Sequence, residues 1–197
     1  MADFAKLERV IADHLAANEH AAAATAALKG LGPQILGYLA SQLRDEAVTY
    51  DVFGAFSEEL WKSIASFRGD SSFKTWAYKL VMHAISRHRR DAFRRRARPL
   101  PSAELSALVE QVRSRTAPFK RTDVKDKIAA LRETLDPEDQ ALLFLRIDQG
   151  LPWADVAAVV SAGGEPVEVA ALRKRFERAK ARLRKLAEQE RLLGTRD

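Results

Sequence analysis

Residues 67–96 read FRGDSSFKTWAYKLVMHAISRHRRDAFRRR, a stretch that joins hydroxyls, aromatic rings and a dense run of arginine. From Arg87 to Arg98 there are seven arginines against one aspartate, a local charge of +6. Guanidinium groups neutralise phosphates, and rings or guanidinium planes stack on exposed bases, so an element of this kind suits nucleic acid. A solvated basic helix face is the plainer account of the same run. A second basic block follows at 172–191, with nine basic and three acidic groups. The segments outside these blocks are acidic: residues 1–70 carry six basic and ten acidic groups, and residues 99–171 carry eight and twelve. Two cationic patches on an otherwise acidic chain point to two nucleic-acid contacts.

Other chemistry is scarce. The four histidines, His14, His20, His83 and His88, are scattered, and the last two stand five apart, on different faces of a helix. They make a poor zinc pair. Cysteine is absent, which removes disulfides and thiolate metal sites and fits a reducing compartment. The chain has no GxxxxGK phosphate loop, no HExxH and no GxSxG. An enzyme is therefore not expected, and neither are a catalytic residue, a metal, a cofactor or a small-molecule substrate. The amino terminus carries Asp3, Glu8 and Asp13 with no uninterrupted apolar run, unlike a signal peptide. No run approaches the length of a membrane span, so no membrane association is expected and the expected location is cytoplasmic.

The chain must position these residues with helices. It has 197 residues, a net charge of +6 and a pI near 9.7, with 47% hydrophobic and 30% charged residues. Glycine and proline fall at a few points (30–33, 69, 99–101, 118, 137, 150–152 and 163–166), strand-like alternation is scarce, and the pattern reads as all-α. Residues 4–28 place Phe4, Leu7, Ile11 and Leu15 at helical spacing. Further helices are expected at about 34–44, 48–67 and from 69 onward, the last capped by Asp70 or Ser71. Its apolar stripe is Phe73, Trp76, Ala77, Leu80, Ala84 and Ile85, which favours packing for Trp76, with direct base stacking as the alternative. These form a first domain, 1–96, whose initial nineteen or so residues are an extension. Residues 97–123 read as a linker with a short helical stretch near Ala103–Val112. A second domain, 124–197, has helices at about 124–134, 137–148, 152–160 and 166–191, with Asp136 capping a helix that begins at Pro137.

A short helix, a glycine turn and a longer basic helix suggest a helix-turn-helix, whose second helix lies in the major groove. Leu172, Phe176, Ala179, Leu183 and Leu186 form its docking stripe. The opposite surface presents Arg173, Lys174, Glu177, Arg178 and Lys180. Arginine can bridge guanine O6 and N7, whereas Lys180 and Arg182 are better placed for phosphates. A basic surface helix in a bundle would show the same pattern.

The order of these motifs resembles bacterial RNA polymerase sigma factors of the sigma-70 family, most closely the compact extracytoplasmic-function group. The residues that carry the resemblance are Leu135-Asp136-Pro137-Glu138-Asp139-Gln140, then Leu145-Arg146 to Gly150-Leu151-Pro152-Trp153, then Arg178-Ala179-Lys180-Ala181-Arg182-Leu183-Arg184. FRGDSSFKTWAYKL with its basic helix resembles the family's first domain, and the two motifs together span about residues 20–190.

The resemblance implies a region 2-like helical bundle and a region 4-like helix-turn-helix. Their implied partners are core RNA polymerase and promoter DNA, and in many family members an anti-sigma factor. The first domain would hold splayed bases of the −10 element, whose extrusion costs a few kcal/mol of stacking. It would do so through Ser71, Ser72, Phe73, Lys74, His83, Arg87 and Arg90. The second would read the −35 duplex through Ala171, Arg173, Lys174, Glu177, Arg178, Lys180 and Arg182. Asp51, Glu58, Glu59 and Trp61 would meet the polymerase. Three departures stand out. His83 replaces a common asparagine, Gly54 and Ala55 stand where Gln and Glu are usual, and the turn 161–166 is several residues longer than usual. A free-standing helix-turn-helix regulator that never joins polymerase is the alternative.

Overall fold

A computed structural model describes residues 2–90, 102–116 and 130–189. Residues 91–101, with Arg94, Arg95, Arg96 and Arg98, and residues 117–129, with the start of the expected helix at Val124, lie outside the described residues. The fold is all-α, with no strand among the described residues. Its helices are α1 (Ala2–Ala16), α2 (His20–Leu43), α3 (Glu46–Ser63, continued by a 3-10 turn at Ile64–Ser66), α4 (Phe73–Arg90) and α5 (Ala103–Arg115) in the amino-terminal half. The carboxy-terminal half has α6 (Pro137–Leu143, running into a π-helical turn at Phe144–Asp148), α7 (Trp153–Ala162) and α8 (Val169–Gln189).

The first chain reversal falls elsewhere than the glycines and proline at 30–33 suggest. It lies at 17–19, where Asn18 takes a left-handed φ of 59°. Glu19 N–H donates to His14 O at 2.8 Å and Asn18 N–H to Leu15 O at 3.1 Å, so the last carbonyls of α1 are satisfied by a left-handed cap. Helix α2 then runs straight through Pro33, which is exposed. The missing amide costs one backbone bond, but Leu31, Ile35, Leu36 and Leu39 are all buried along the same helix. Burying such side chains is worth about 1.5–3 kcal/mol each. The two glycines serve packing and not a turn: a Cβ on Gly30 would collide with Leu7 of α1, and one on Gly32 would lie 2.9 Å from Val112 Cγ1 of α5.

Asp45 caps α3, its Oδ1 accepting from Val48 N–H at 2.8 Å. Val52, Phe53, Phe56, Leu60 and Ile64 are buried. Gly69, at φ +78°, turns the chain into α4. The cap of α4 is Ser72, and neither Asp70 nor Ser71 fills that position. Because Phe73 is the first helical residue, the Ser72 hydroxyl faces the Thr75 amide and accepts from it at 3.1 Å. Within the expected linker, residues 103–115 form a helix folded onto α2 and α3. Ser102 caps it, and Leu105, Leu108, Val109 and Val112 are buried.

In the carboxy-terminal half Pro137 occupies the first turn of α6, as expected, but the Asp136 side chain makes no capping bond. Its carboxylate instead stands 3.6 Å from Arg182 Nη1. Gln140 Nε2 donates to Leu135 O at 2.8 Å and ties the start of α6 to the preceding turn. Gly150, at φ +66°, makes the turn into α7. Helix α8 begins at Val169, three residues later than expected, because the long turn is itself ordered: Ser161 Oγ accepts from Val167 N–H at 2.9 Å.

The two halves meet, a contact for which the residue pattern carries no signal. Phe144 inserts beside the buried tyrosines of the first half, stacked on Tyr38 (centroids 4.6 Å apart, 22° between planes) and edge-on to Tyr78 at 5.7 Å. Thr75 Oγ1 of α4 donates to Asp155 Oδ2 of α7 at 2.9 Å, and Lys74 Nζ donates to Gln149 O at 3.2 Å. Ser86 Oγ donates to Gly163 O, and Arg44 to Glu133 O. Burial raises the hydroxyl pKa of both Tyr38 and Tyr78 well above the ordinary tyrosine value.

Candidate nucleic-acid interface

Helix α8 separates its charges by face. Leu172, Phe176, Ala179 and Ala187 are buried, with Leu183 and Leu186 half-buried beside them. All seven residues expected at the duplex, Ala171, Arg173, Lys174, Glu177, Arg178, Lys180 and Arg182, are exposed. Arg173, Lys174 and Arg178 have no carboxylate within ion-pair distance among the described residues. Lys180 leans on Glu177 at 3.2 Å, and Arg182 approaches Asp136 at 3.6 Å. Trp153, at the start of α7, orders this surface. It packs edge-on against Phe176 at 5.2 Å and lies under Arg146 and Arg173, at 5.3 and 5.8 Å from its ring.

One arginine of this helix faces the other way. Arg175 Nε donates to Asp139 Oδ1 at 2.5 Å, and its Nη1 pairs with Glu138. Burial opposes its charge, but the hydrogen bonds and charges of Asp139 and Glu138 outweigh burial, and its pKa ends above the ordinary value. Arg175 therefore fastens α8 to α6. In sequence it is indistinguishable from its neighbours, and only its helical phase, three residues after the buried Leu172 and four before the buried Ala179, hints at the difference.

The residues expected at the −10 element divide. His83, Arg87 and Arg90 are exposed and share one face of α4 at i, i+4 and i+7. Arg87 Nη1 lies 3.6 Å from Glu59 Oε2 of α3. The loop residues are engaged within the chain. Phe73 is 3% exposed and clusters with Phe67 and Trp76, at 5.2 and 5.3 Å, so it faces the core. Its place there follows from the helix starting at that residue, which turns its ring inward with Ala77 and Leu80. Trp76 belongs to the same cluster, as its stripe implies. Ser71 is half-buried, and Ser72 is occupied as the cap, with its hydroxyl 2.9 Å from Thr75 Oγ1. Lys74 Nζ lies 4.1 Å from the Phe4 ring centroid and bonds Gln149 O. Burial lowers its pKa, and the charge of Glu8 partly opposes that shift. Glu8 Oε1 also accepts from Phe73 N–H at 2.9 Å. No spacing pattern relates Phe4 and Glu8 to α4.

On α3, Asp51 is exposed, while Glu58, Glu59 and Trp61 are half-buried. Glu58 pairs with Lys62 one turn on, and Trp61 packs against the core. Asp51 and Glu58 stand seven residues apart on one face, with Glu59 next to it.

Comparison with known proteins bears on this geometry. Residues 28–96 match the family model Sigma-70 region 2, a span that opens inside α2 and takes in α3, α4 and the arginine run. The chain is also 28% identical over 137 residues to the RNA polymerase sigma-H factor of Pseudomonas aeruginosa, covering 64% of this chain and 69% of that protein. Both likenesses are to sigma factors, one to region 2 of the sigma-70 family and one to a sigma-H factor. Among the described residues no helix is long and apolar enough to cross a membrane.

Proposed function

We propose that this protein is a promoter-specificity subunit: a sigma factor, of the extracytoplasmic-function type, that binds core RNA polymerase and directs it to chosen promoters. The observation that carries this reading is the region 2 match over residues 28–96, coinciding with three consecutive helices that end in a cationic run. The exposed cations of α8 support the second DNA contact, in which Arg173 and Arg178 meet base edges of a −35 duplex while Lys174, Lys180 and Arg182 meet phosphates. His83, Arg87 and Arg90 supply the exposed side of the −10 contact. The half-acidic face of α3, with Asp51, Glu58, Glu59 and Trp61, is the proposed seat for polymerase, in the cytoplasm where that enzyme works. An anti-sigma protein is a further proposed partner. The protein performs no catalysis of its own in this reading.

The test is run-off transcription from genomic DNA with purified core polymerase, with start sites mapped. The protein should co-purify with core and yield discrete starts that share two sequence elements. If it neither joins core nor supports a transcript, and instead binds a duplex alone as a dimer, it is a free-standing regulator. Arg173→Ala or Arg178→Ala should weaken −35 recognition by about 1–3 kcal/mol for a side chain that contacts a base. Unchanged promoter use would remove that assignment.

A further inference from the structure

The long turn at 161–166 plays no part in the function proposed above, yet it forms one wall of a cavity of about 470 Å³ in the seam between the two halves. That volume falls within the roughly 300–1,000 Å³ of sites that hold small molecules. The other walls come from α2 and α4 on one side and from α6, the end of α7 and α8 on the other. Gly163 lets the turn come close to α4, since an added Cβ there would lie 2.9 Å from Met82 Cε. Ser86 Oγ donates to Gly163 O and holds the turn in that place.

The apolar part of the lining is aliphatic: Met82, Ile85, Leu142, Val160, Val167 and Leu172 all contribute. Tyr38 is the one ring on the wall, and Phe144 already stacks on it at 4.6 Å. An aromatic ligand would find little to stack on. A flexible chain could follow the aliphatic surface, and the thioether of Met82 adapts its shape to what it meets.

The polar part of the lining is rich in donors that lack good acceptors. Gln42 Nε2 is buried and has no hydrogen-bond partner. One turn earlier on the same face of α2, the Tyr38 hydroxyl meets only the Met82 sulfur at 3.6 Å, a weak acceptor. Burial raises the pKa of that hydroxyl, with the Arg89 charge partly opposing, so it keeps its proton and can donate. Arg89 of α4 and Arg178 of α8 also line the cavity. Both are exposed, and neither has a carboxylate within ion-pair distance among the described residues. A third guanidinium, Arg175, is engaged by Asp139 and Glu138. Of the two acidic side chains on the wall, Glu138 and Glu165, the first is thus neutralised by Arg175, which leaves two cations against Glu165. A buried donor without a partner is costly, and an acceptor carried in by a ligand removes that cost.

The order of these groups along α4 fixes the shape of the ligand. Met82, Ile85 and Arg89 share one face, and the wall passes from apolar to cationic along it. From Met82 to Arg89 the helix rises about 10 Å, roughly the length of an eight-carbon chain. We propose that this cavity binds a medium-chain acyl carboxylate, with the chain along Met82, Ile85, Leu142 and Val160 and the carboxylate held by Arg89 and Arg178, with Gln42 and Tyr38 as further donors. A guanidinium suits this head group because its parallel N–H bonds match the two oxygens of a carboxylate. The site stands whether or not the chain joins polymerase.

The test is isothermal titration calorimetry of the full chain with octanoate, below its micelle concentration. Saturable binding of one octanoate per chain is expected. Octan-1-ol has the same chain without the charge and should bind at least about tenfold more weakly, the loss of a charge-assisted pairing. Butyrate keeps the head group with four fewer methylenes and should bind about a hundredfold more weakly. Arg89→Gln and Arg178→Gln together should weaken octanoate about tenfold and leave octan-1-ol within about twofold. Lys185→Gln removes an exposed cation of α8 outside the cavity and should change octanoate affinity by no more than about twofold. Val160→Phe, which fills part of the cavity, should weaken octanoate and octan-1-ol alike by at least about tenfold, with far-ultraviolet circular dichroism reporting its fold.

Equal affinity for octanoate and octan-1-ol would overturn the proposal, as would binding that never saturates at one per chain. An equal loss in Lys185→Gln and in the arginine pair would reduce the effect to net charge and overturn it too. Undiminished binding by a folded Val160→Phe would place the ligand elsewhere. Should that variant lose helical content, the arginine pair decides: octanoate affinity within about twofold of the parent would sink the assignment.

Discussion

Two arginines three residues apart on α8 should answer to different assays. Arg175 donates to Asp139 at 2.5 Å and pairs with Glu138, whereas Arg178 is exposed with no acidic partner among the described residues. The Asp139 side chain is 12% exposed and that of Glu138 is 74% exposed. The Glu138 pair is therefore screened and worth about 0–0.5 kcal/mol. The Asp139 bond is charge-assisted and largely buried, worth about 1.5–3 kcal/mol, and its loss strands a carboxylate. Because the Arg175 side chain is itself 33% exposed, water recovers part of that loss, and we expect Arg175→Ala to destabilise by about 2 kcal/mol. For a chain of this length the corresponding drop in Tm is roughly 4–8 °C. Arg178→Ala should stay within about 0.5 kcal/mol of the parent, as an exposed substitution does, while it loses duplex affinity. Urea denaturation and duplex binding on both variants check this. A coupling of about 1–2 kcal/mol in the Arg175→Ala, Asp139→Ala double-mutant cycle would assign the loss to that pair. If Arg175→Ala melts with the parent, or if both variants lose stability equally, the division of α8 into a docking face and a DNA face is wrong.

The glycines of α2 separate packing from propensity. Gly37 has open space around an added Cβ, so Gly37→Ala should stabilise by about 0.5–1 kcal/mol, whereas in Gly32→Ala the new methyl meets the stiff Val112 and should lower the denaturation midpoint. Phe144→Ala removes the ring stacked between the tyrosines of the other half and should cost about 2–4 kcal/mol. Its near-ultraviolet circular dichroism should lose the tyrosine contribution, and an unchanged spectrum would place Phe144 outside the seam. Replacing Arg94, Arg95 and Arg96 together by alanine should flatten the salt dependence of promoter binding, since fewer counterions are released. An unaltered slope would make that run a solvated face.

Much of the architecture could be read from residue types because local physics governs it. The 3.6-residue apolar period marks α3, α4 and α8, and the turn at Gly150 is marked by the residue type that adopts a left-handed backbone most readily. The exposed cations of α8 and the trio His83, Arg87 and Arg90 follow from the same periodicity, since a residue opposite a buried stripe must face water. Boundaries were harder. Gly30, Gly32 and Pro33 resemble a break, yet the apolar residues around them bury enough surface to carry a helix across, and the left-handed turn fell to Asn18 instead. The cap of α4 shifted from Asp70 or Ser71 to Ser72 because the first helical residue decides which side chain can reach the free amides.

Contacts between residues far apart in the chain have no periodic signature, and these decided the rest. Arg175 became a fastener because α6 set Asp139 beneath it. Glu8 and Phe4 met Lys74 and the Phe73 amide across more than sixty residues because α1 folded back along α2. Composition and spacing establish which charges this chain carries and on which helix faces they can lie. How many of those charges still face solvent depends on the packing of helices against one another, because an ion pair or a buried amide is satisfied by whatever group arrives in space, whatever its place in the chain.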